Sequence, residues 1–169
     1  MGALLPPSTN AQYEGSMFSA WLLTVLAVLT IIPGLIHTFL PDGGAGTIAG
    51  LDLSTNRRTV VGLFAWAGAT QIALGLVMLL VSLRYRPLVP LLLGVVLLER
   101  TLHALNGWVL KGGGAARHPP EHYAVLVGVP LLALALGLSL RSDRSPTGNS
   151  HNPLDRTAPG TGQSRVKGG

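Results

Sequence analysis

Residues 98–108, LERTLHALNGW, decide how the rest of this chain is read. They set Glu99, Arg100, His103 and Asn106 inside a run from Leu88 to Leu110 that is otherwise apolar enough to cross a bilayer. On insertion scales an Arg or Asp at a helix centre costs about 2.5–3.5 kcal/mol, and each Leu, Val or Ile returns about 0.3–0.6. The run therefore inserts with one Glu and one Arg, provided those groups face protein or trapped water. Glu99, His103 and Asn106 recur at i, i+4 and i+7 and line one helix face. Arg100 lies about 100° round from Glu99 and shares a side with His103, which widens the face into a polar stripe. Three readings stand side by side: a Glu–Arg clamp that fixes helix packing, a ligand or proton site, and an Arg100 that snorkels to an interface.

Composition carries the membrane reading to the whole chain. Hydrophobic residues make up 48% and charged residues 11%, a balance that describes one transmembrane bundle better than a soluble domain. Cysteine is absent, which removes disulfides, thiolate zinc sites and thiol nucleophiles and leaves the redox compartment open. The net charge of +5 comes largely from Arg in loops and tail. It fits anionic lipid head groups, and no aromatic–basic interleaving points to nucleic acid.

Working outward, residues 1–16 form a polar, proline-bearing arm without Lys or Arg. The apolar run 17–40 exceeds the roughly 7–15 residues of a signal-peptide core and reads as a retained first helix. Pro33 is expected to loosen it just before His37. Residues 41–58, PDGGAGTIAGLDLSTNRR, are too glycine-rich for a helix and too long for a tight turn, so they read as a lid or binding loop whose 48–53 portion dips into the interface. Ser54, Thr55 and Asn56 are candidate caps for a second helix over about 59–84. That helix carries Ala65, Ala69 and Ala73 at the spacing of close helix packing. Gln71, flanked on its own side by Gly68 and Gly75, is expected to point into the bundle.

The basic turn Arg84-Tyr85-Arg86-Pro87 makes the second helix and the third, about 88–110, antiparallel neighbours. Pro119-Pro120-Glu121 are ordinary signals for the start of a fourth helix, about 122–141. That reading stands against a metal site built from His118, Glu121 and His122, and no metal is assigned. Residues 142–169 are polar, rich in Pro, Gly, Ser and Thr, and read as a disordered tail.

The fold expected is all-α, a four-helix transmembrane bundle. Its alternating helix directions bring His37, His103, Asn106 and the loops around 41–58 and 118–122 to one end, with Gln71, Glu99 and Arg100 nearer mid-depth. Gln71, Glu99, His103 and Asn106 are expected to line one polar cavity. The arm, Arg84, Arg86 and Arg141 belong to the other end. The positive-inside rule makes that end cytoplasmic, against Arg57, Arg58, Lys111 and Arg117 opposite.

The segments GATQIALGLVMLLVSLRYRPL, LVPLLLGVVLL and PEHYAVLVGVPLLALALGLSL resemble the DoxX-like group of small four-helix bacterial membrane proteins, over roughly residues 68–140. In that group a polar residue precedes a glycine-bearing helix, a short basic turn follows, and the last helix opens with an acidic residue and a tyrosine. Gln71 departs from the acidic residue expected there, and Glu99-Arg100 has no counterpart. The resemblance implies a membrane component linked to respiratory, quinone-linked or oxidative-stress chemistry, with a redox protein as partner.

Three functions follow as expectations. The first is a non-enzymatic membrane subunit that binds a quinone-like or lipid ligand through Gln71, Glu99, Arg100, His103, Asn106 and His37. The second is an intramembrane enzyme with Glu99 and His103 as acid/base pair. The third is a haem protein with His37 and His103 as axial ligands. No nucleophile elbow or metal motif supports the enzyme, and no cofactor is specified.

Overall fold

A computed structural model of the chain describes residues 5–111 and 120–141. The expectations for His118 and for a disordered tail over 142–169 fall outside these. The described residues form α1 (Met17–Phe39), α2 (Arg57–Arg84), α3 (Val89–Leu105) and α4 (Pro120–Ser139). A π-helical turn, Asn106–Leu110, extends α3. Among the described residues, four segments of 23, 28, 25 and 19 residues are long and apolar enough to cross a membrane. Trp21, Leu29, Leu63, Trp66, Leu91, Leu98 and Val127 all face outward. An exterior this apolar suits lipid and not water.

Local chemistry sets the helix limits. Ser16 caps α1, its Oγ accepting from the Phe18 amide at 3.2 Å. Leu40 turns extended before Pro41, as the clash with a following proline ring dictates, and α1 stops there. The helix continues through Pro33. Before α2, Asn56 adopts the left-handed conformation and makes no side-chain cap, while Ser54 turns back to Asp52. None of the three candidate caps therefore closes α2 with its side chain.

The helices pair as α1 with α2 and α3 with α4. Between α1 and α2 the small residues do the work. A Cβ built on Gly68 would stand 2.7 Å from the Gly34 carbonyl oxygen, and one on Gly34 would stand 2.9 Å from that of Gly68. Of the alanine stripe, Ala69 and Ala73 face outward and Ala65 is half-buried. The shared core sits in the half of the bundle near the termini. It joins Ala20, Leu23 and Ala27 of α1, Met78 and Val81 of α2, Val89, Leu92, Leu93 and Val96 of α3, and Leu132 and Ala135 of α4. Beyond Val96, α3 buries no further residue until Gly107.

The arm is docked. Asn10 Nδ2 donates to the Leu83 carbonyl at 2.7 Å and Ser8 Oγ to that of Arg84 at 3.0 Å, while Tyr85 and Arg84 both donate to the carbonyl of Pro6. These bonds satisfy carbonyls that the end of α2 would otherwise leave without partners. Ser19 Oγ donates to the Ala135 carbonyl at 2.7 Å. The start of α1, the end of α2 and the end of α4 therefore share one end of the bundle.

Candidate functional site

At the opposite end, α3 and α4 leave an open cavity of about 330 Å³ lined by His103, Asn106, Gly107, Lys111 and His122. The sequence accounts for its shape. The spacing of His103, Asn106 and Gly107 brings them to one side of the helix. The π turn that begins at Asn106 adds a residue to the helical circuit, a feature often found at functional sites. Gly107 admits the ring of His122, since a Cβ there would stand 2.9 Å from its Cε1 and Nδ1. Trp108 Nε1 donates to the His122 carbonyl at 3.1 Å and ties the π turn to α4. The rings of His103 and His122 meet edge to face with centroids 5.4 Å apart.

His103 Nε2 is buried and makes no hydrogen bond. A buried polar atom in that state carries a desolvation cost of about 1–3 kcal/mol, so it marks where a partner would be stabilising. Asn106 Nδ2 donates back to the Leu102 carbonyl at 2.9 Å. A second cavity, of about 290 Å³ and almost wholly apolar, is lined by Thr101, Leu105, Trp108, Val125, Val129 and Pro130 among others. It flanks the same pair of helices.

The remaining sequence candidates lie elsewhere. Gln71 is at the α1–α2 seam, where a Cβ on Gly34 would stand 3.1 Å from its own Cβ. Its Oε1 is buried without a partner, and it does not line the His103 cavity. Gln71 does point into the bundle, but it does not share a cavity with His103, because α1 packs into the space that Gly68 and Gly75 leave beside it. Glu99 Oε2 lies 3.0 Å from Arg100 Nε without the alignment of a hydrogen bond. The Glu99 side chain is 42% exposed, against 25% for Arg100. Arg100 Nη2 reaches Thr30 Oγ1 of α1 at 3.3 Å, across the bundle.

Glu99 does not line the His103 cavity, so the structure does not gather the Glu99–His103 acid/base pair there. His37 is held by the loop instead. Its Nδ1 donates to the Gly43 carbonyl at 2.6 Å and its ring meets Phe64 edge to face. The structure gives His37 and His103 different ring partners, Phe64 and His122.

The 41–58 loop has one organiser. The Asp42 carboxylate accepts from the amides of Gly44, Gly46 and Thr47 at 2.8–3.1 Å and from Thr47 Oγ1 at 3.3 Å. These donors, the Thr47 amide foremost, hold its pKa below the ordinary 3.8. Gly43 and Gly44 take positive φ, which only glycine adopts freely.

Sequence spacing within α3 was enough to place His103 and Asn106 together. Lys111 and Gly107 carry a weaker signal; His122 is legible as a candidate ligand at the same end of the bundle, but its approach to His103 depends on how α4 packs. The liganding atoms of His103, Glu121 and His122 all lie within 4.8 Å of one another. His118 of the sequence-derived metal set is outside the described residues. No family model, curated protein or solved structure matches this chain.

Proposed function

We propose that this is a non-enzymatic membrane protein that holds the polar head of a lipid-soluble ligand, quinone-like or lipid, in the cavity between α3 and α4. One observation carries the reading: His103, Asn106, Lys111 and His122 are gathered at the wall of one cavity in an otherwise apolar bundle. The imidazole, the Asn106 amide oxygen and the Lys111 ammonium together offer donors and acceptors to a carbonyl or phosphate head. The apolar, outward-facing side chains around the bundle offer a surface for the ligand's chain. The resemblance to DoxX-like proteins, carried by sequence pattern alone, belongs to this reading. A membrane redox protein is the partner it implies.

The cytoplasmic side is assigned to the end that carries the arm, Arg84, Arg86 and Arg141, on the positive-inside rule. Mass spectrometry of what the purified protein retains tests the ligand. A specific quinone or phospholipid is expected at a constant ratio to protein and lost in His103→Leu. Bulk lipid alone in both proteins contradicts the reading.

A further inference from the structure

We propose that His103, Glu121 and His122 form a binding site for a first-row transition-metal dication such as zinc. Two imidazoles and a carboxylate are the donor set such ions accept, with bonds of about 2.0–2.2 Å. Tetrahedral bonds of that length put donor atoms about 3.4 Å apart. The three liganding atoms lie within 4.8 Å of one another, so closing on an ion needs a shift of about an ångström. Glu121 is exposed in the first turn of α4 and has the freedom to supply it.

Three further features point to the same place. His103 Nε2 is buried without a hydrogen-bond partner, so no bond to Nε2 holds the His103 ring back from an ion. Gly107 makes room for the His122 ring, and the Trp108 bond to the His122 carbonyl anchors that residue's backbone. The cavity adjoins both histidines, so an ion held by three protein groups keeps an open position toward it. Lys111 and the positive end of the α4 dipole oppose a cation. The Glu121 carboxylate offsets that charge, the imidazoles bind by lone-pair donation, and Lys111 is exposed on a stem long enough to turn away. The open position would take an oxygen of the ligand head, and this last step alone rests on the function proposed above.

The test uses the full-length chain in detergent, freed of any affinity tag, stripped with chelator and titrated with Co²⁺. One Co²⁺ per chain is expected, with visible absorption that Zn²⁺ abolishes. His103→Asn, His122→Asn and Glu121→Gln should each weaken binding by at least about tenfold. Gly107→Ala, which displaces the His122 ring without removing a ligand, should weaken it as well. Circular dichroism and gel filtration confirm that each variant is folded. Absence of saturable Co²⁺ absorption in the folded parent, or equal affinity in the three ligand variants, overturns the site. A stripped protein that binds a short-chain quinone but no Co²⁺ overturns the metal site and spares the ligand reading. Co²⁺ binding without quinone binding does the reverse.

Discussion

Gly34 and Gly68 face each other across the α1–α2 seam, each with the other's carbonyl oxygen closer than 3 Å to where a Cβ would stand. Backbone on both sides leaves no flexible side chain to move away. Gly68→Ala should therefore destabilise the protein by about 1–3 kcal/mol through overpacking. Ala69→Gly, on the outward face, should cost only its helix propensity, about 1 kcal/mol. Thermal melting in one detergent compares them, and equal losses would contradict the seam.

Removal of Arg100 alone leaves the Glu99 carboxylate without its ion-pair partner and Thr30 without its cross-bundle bond. The cost should fall between the ~0–1 kcal/mol of an exposed pair and the ~3–5 of a buried one, because Glu99 is partly exposed. Arg100→Met should melt lower than the double variant Glu99→Gln/Arg100→Met. A double variant that loses the sum of the two single losses would argue against a working pair.

Loop 41–58 should respond to acid. The folded pKa of Asp42 is lowered, so its contribution is fully present above the ordinary value of 3.8 and is lost as pH falls through the lower, folded value. Amide exchange at Gly44, Gly46 and Thr47, corrected for intrinsic rates, should show protection at neutral pH that collapses below that point. Asp42→Asn should lack the protection at every pH. Protection that persists in Asp42→Asn would remove the carboxylate from its role.

Asn10→Ala deletes the bond to the Leu83 carbonyl and the one its Oδ1 accepts from the Arg86 amide. At roughly 1 kcal/mol for each exposed or part-buried bond, a loss of about 1–2 is expected in melting. An unchanged melting temperature would mean that the arm's docking contributes nothing.

Topology is open to a direct assay because the chain has no native cysteine. Ser150→Cys should react with an impermeant maleimide only after the membrane is opened, if the end that carries both the arm and Arg141 is cytoplasmic. Labelling in intact cells reverses the assignment.

Apolar run length was enough to read four helices, since about 20 residues are needed to span, and the wheel was enough to put His103 and Asn106 on one face. Pairing was not legible. A polar stripe tells which face avoids lipid but not which helix meets it, and the glycines beside Gln71 drew α1 in instead of opening a space. The arm's role was hidden because its bonds are to carbonyls at the end of α2, which leave no mark in side-chain pattern. The sequence offers His122 as a metal candidate with His118 and Glu121, but not its place beside His103, which depends on the packing of α4 and on a π turn that no local residue preference announces.

The ligand cavity is tested most directly by quinone titration of a variant whose single tryptophan is Trp108, with Trp21 and Trp66, both outward-facing, replaced by Phe. Trp108 bonds to His122 beside the cavity and reports its occupation. Saturable quenching by a short-chain quinone is expected, weakened at least about tenfold when His103→Leu removes a polar contact worth roughly 1.5 kcal/mol, with little change in melting temperature. Quenching that never saturates, or that is the same with His103→Leu, would contradict it.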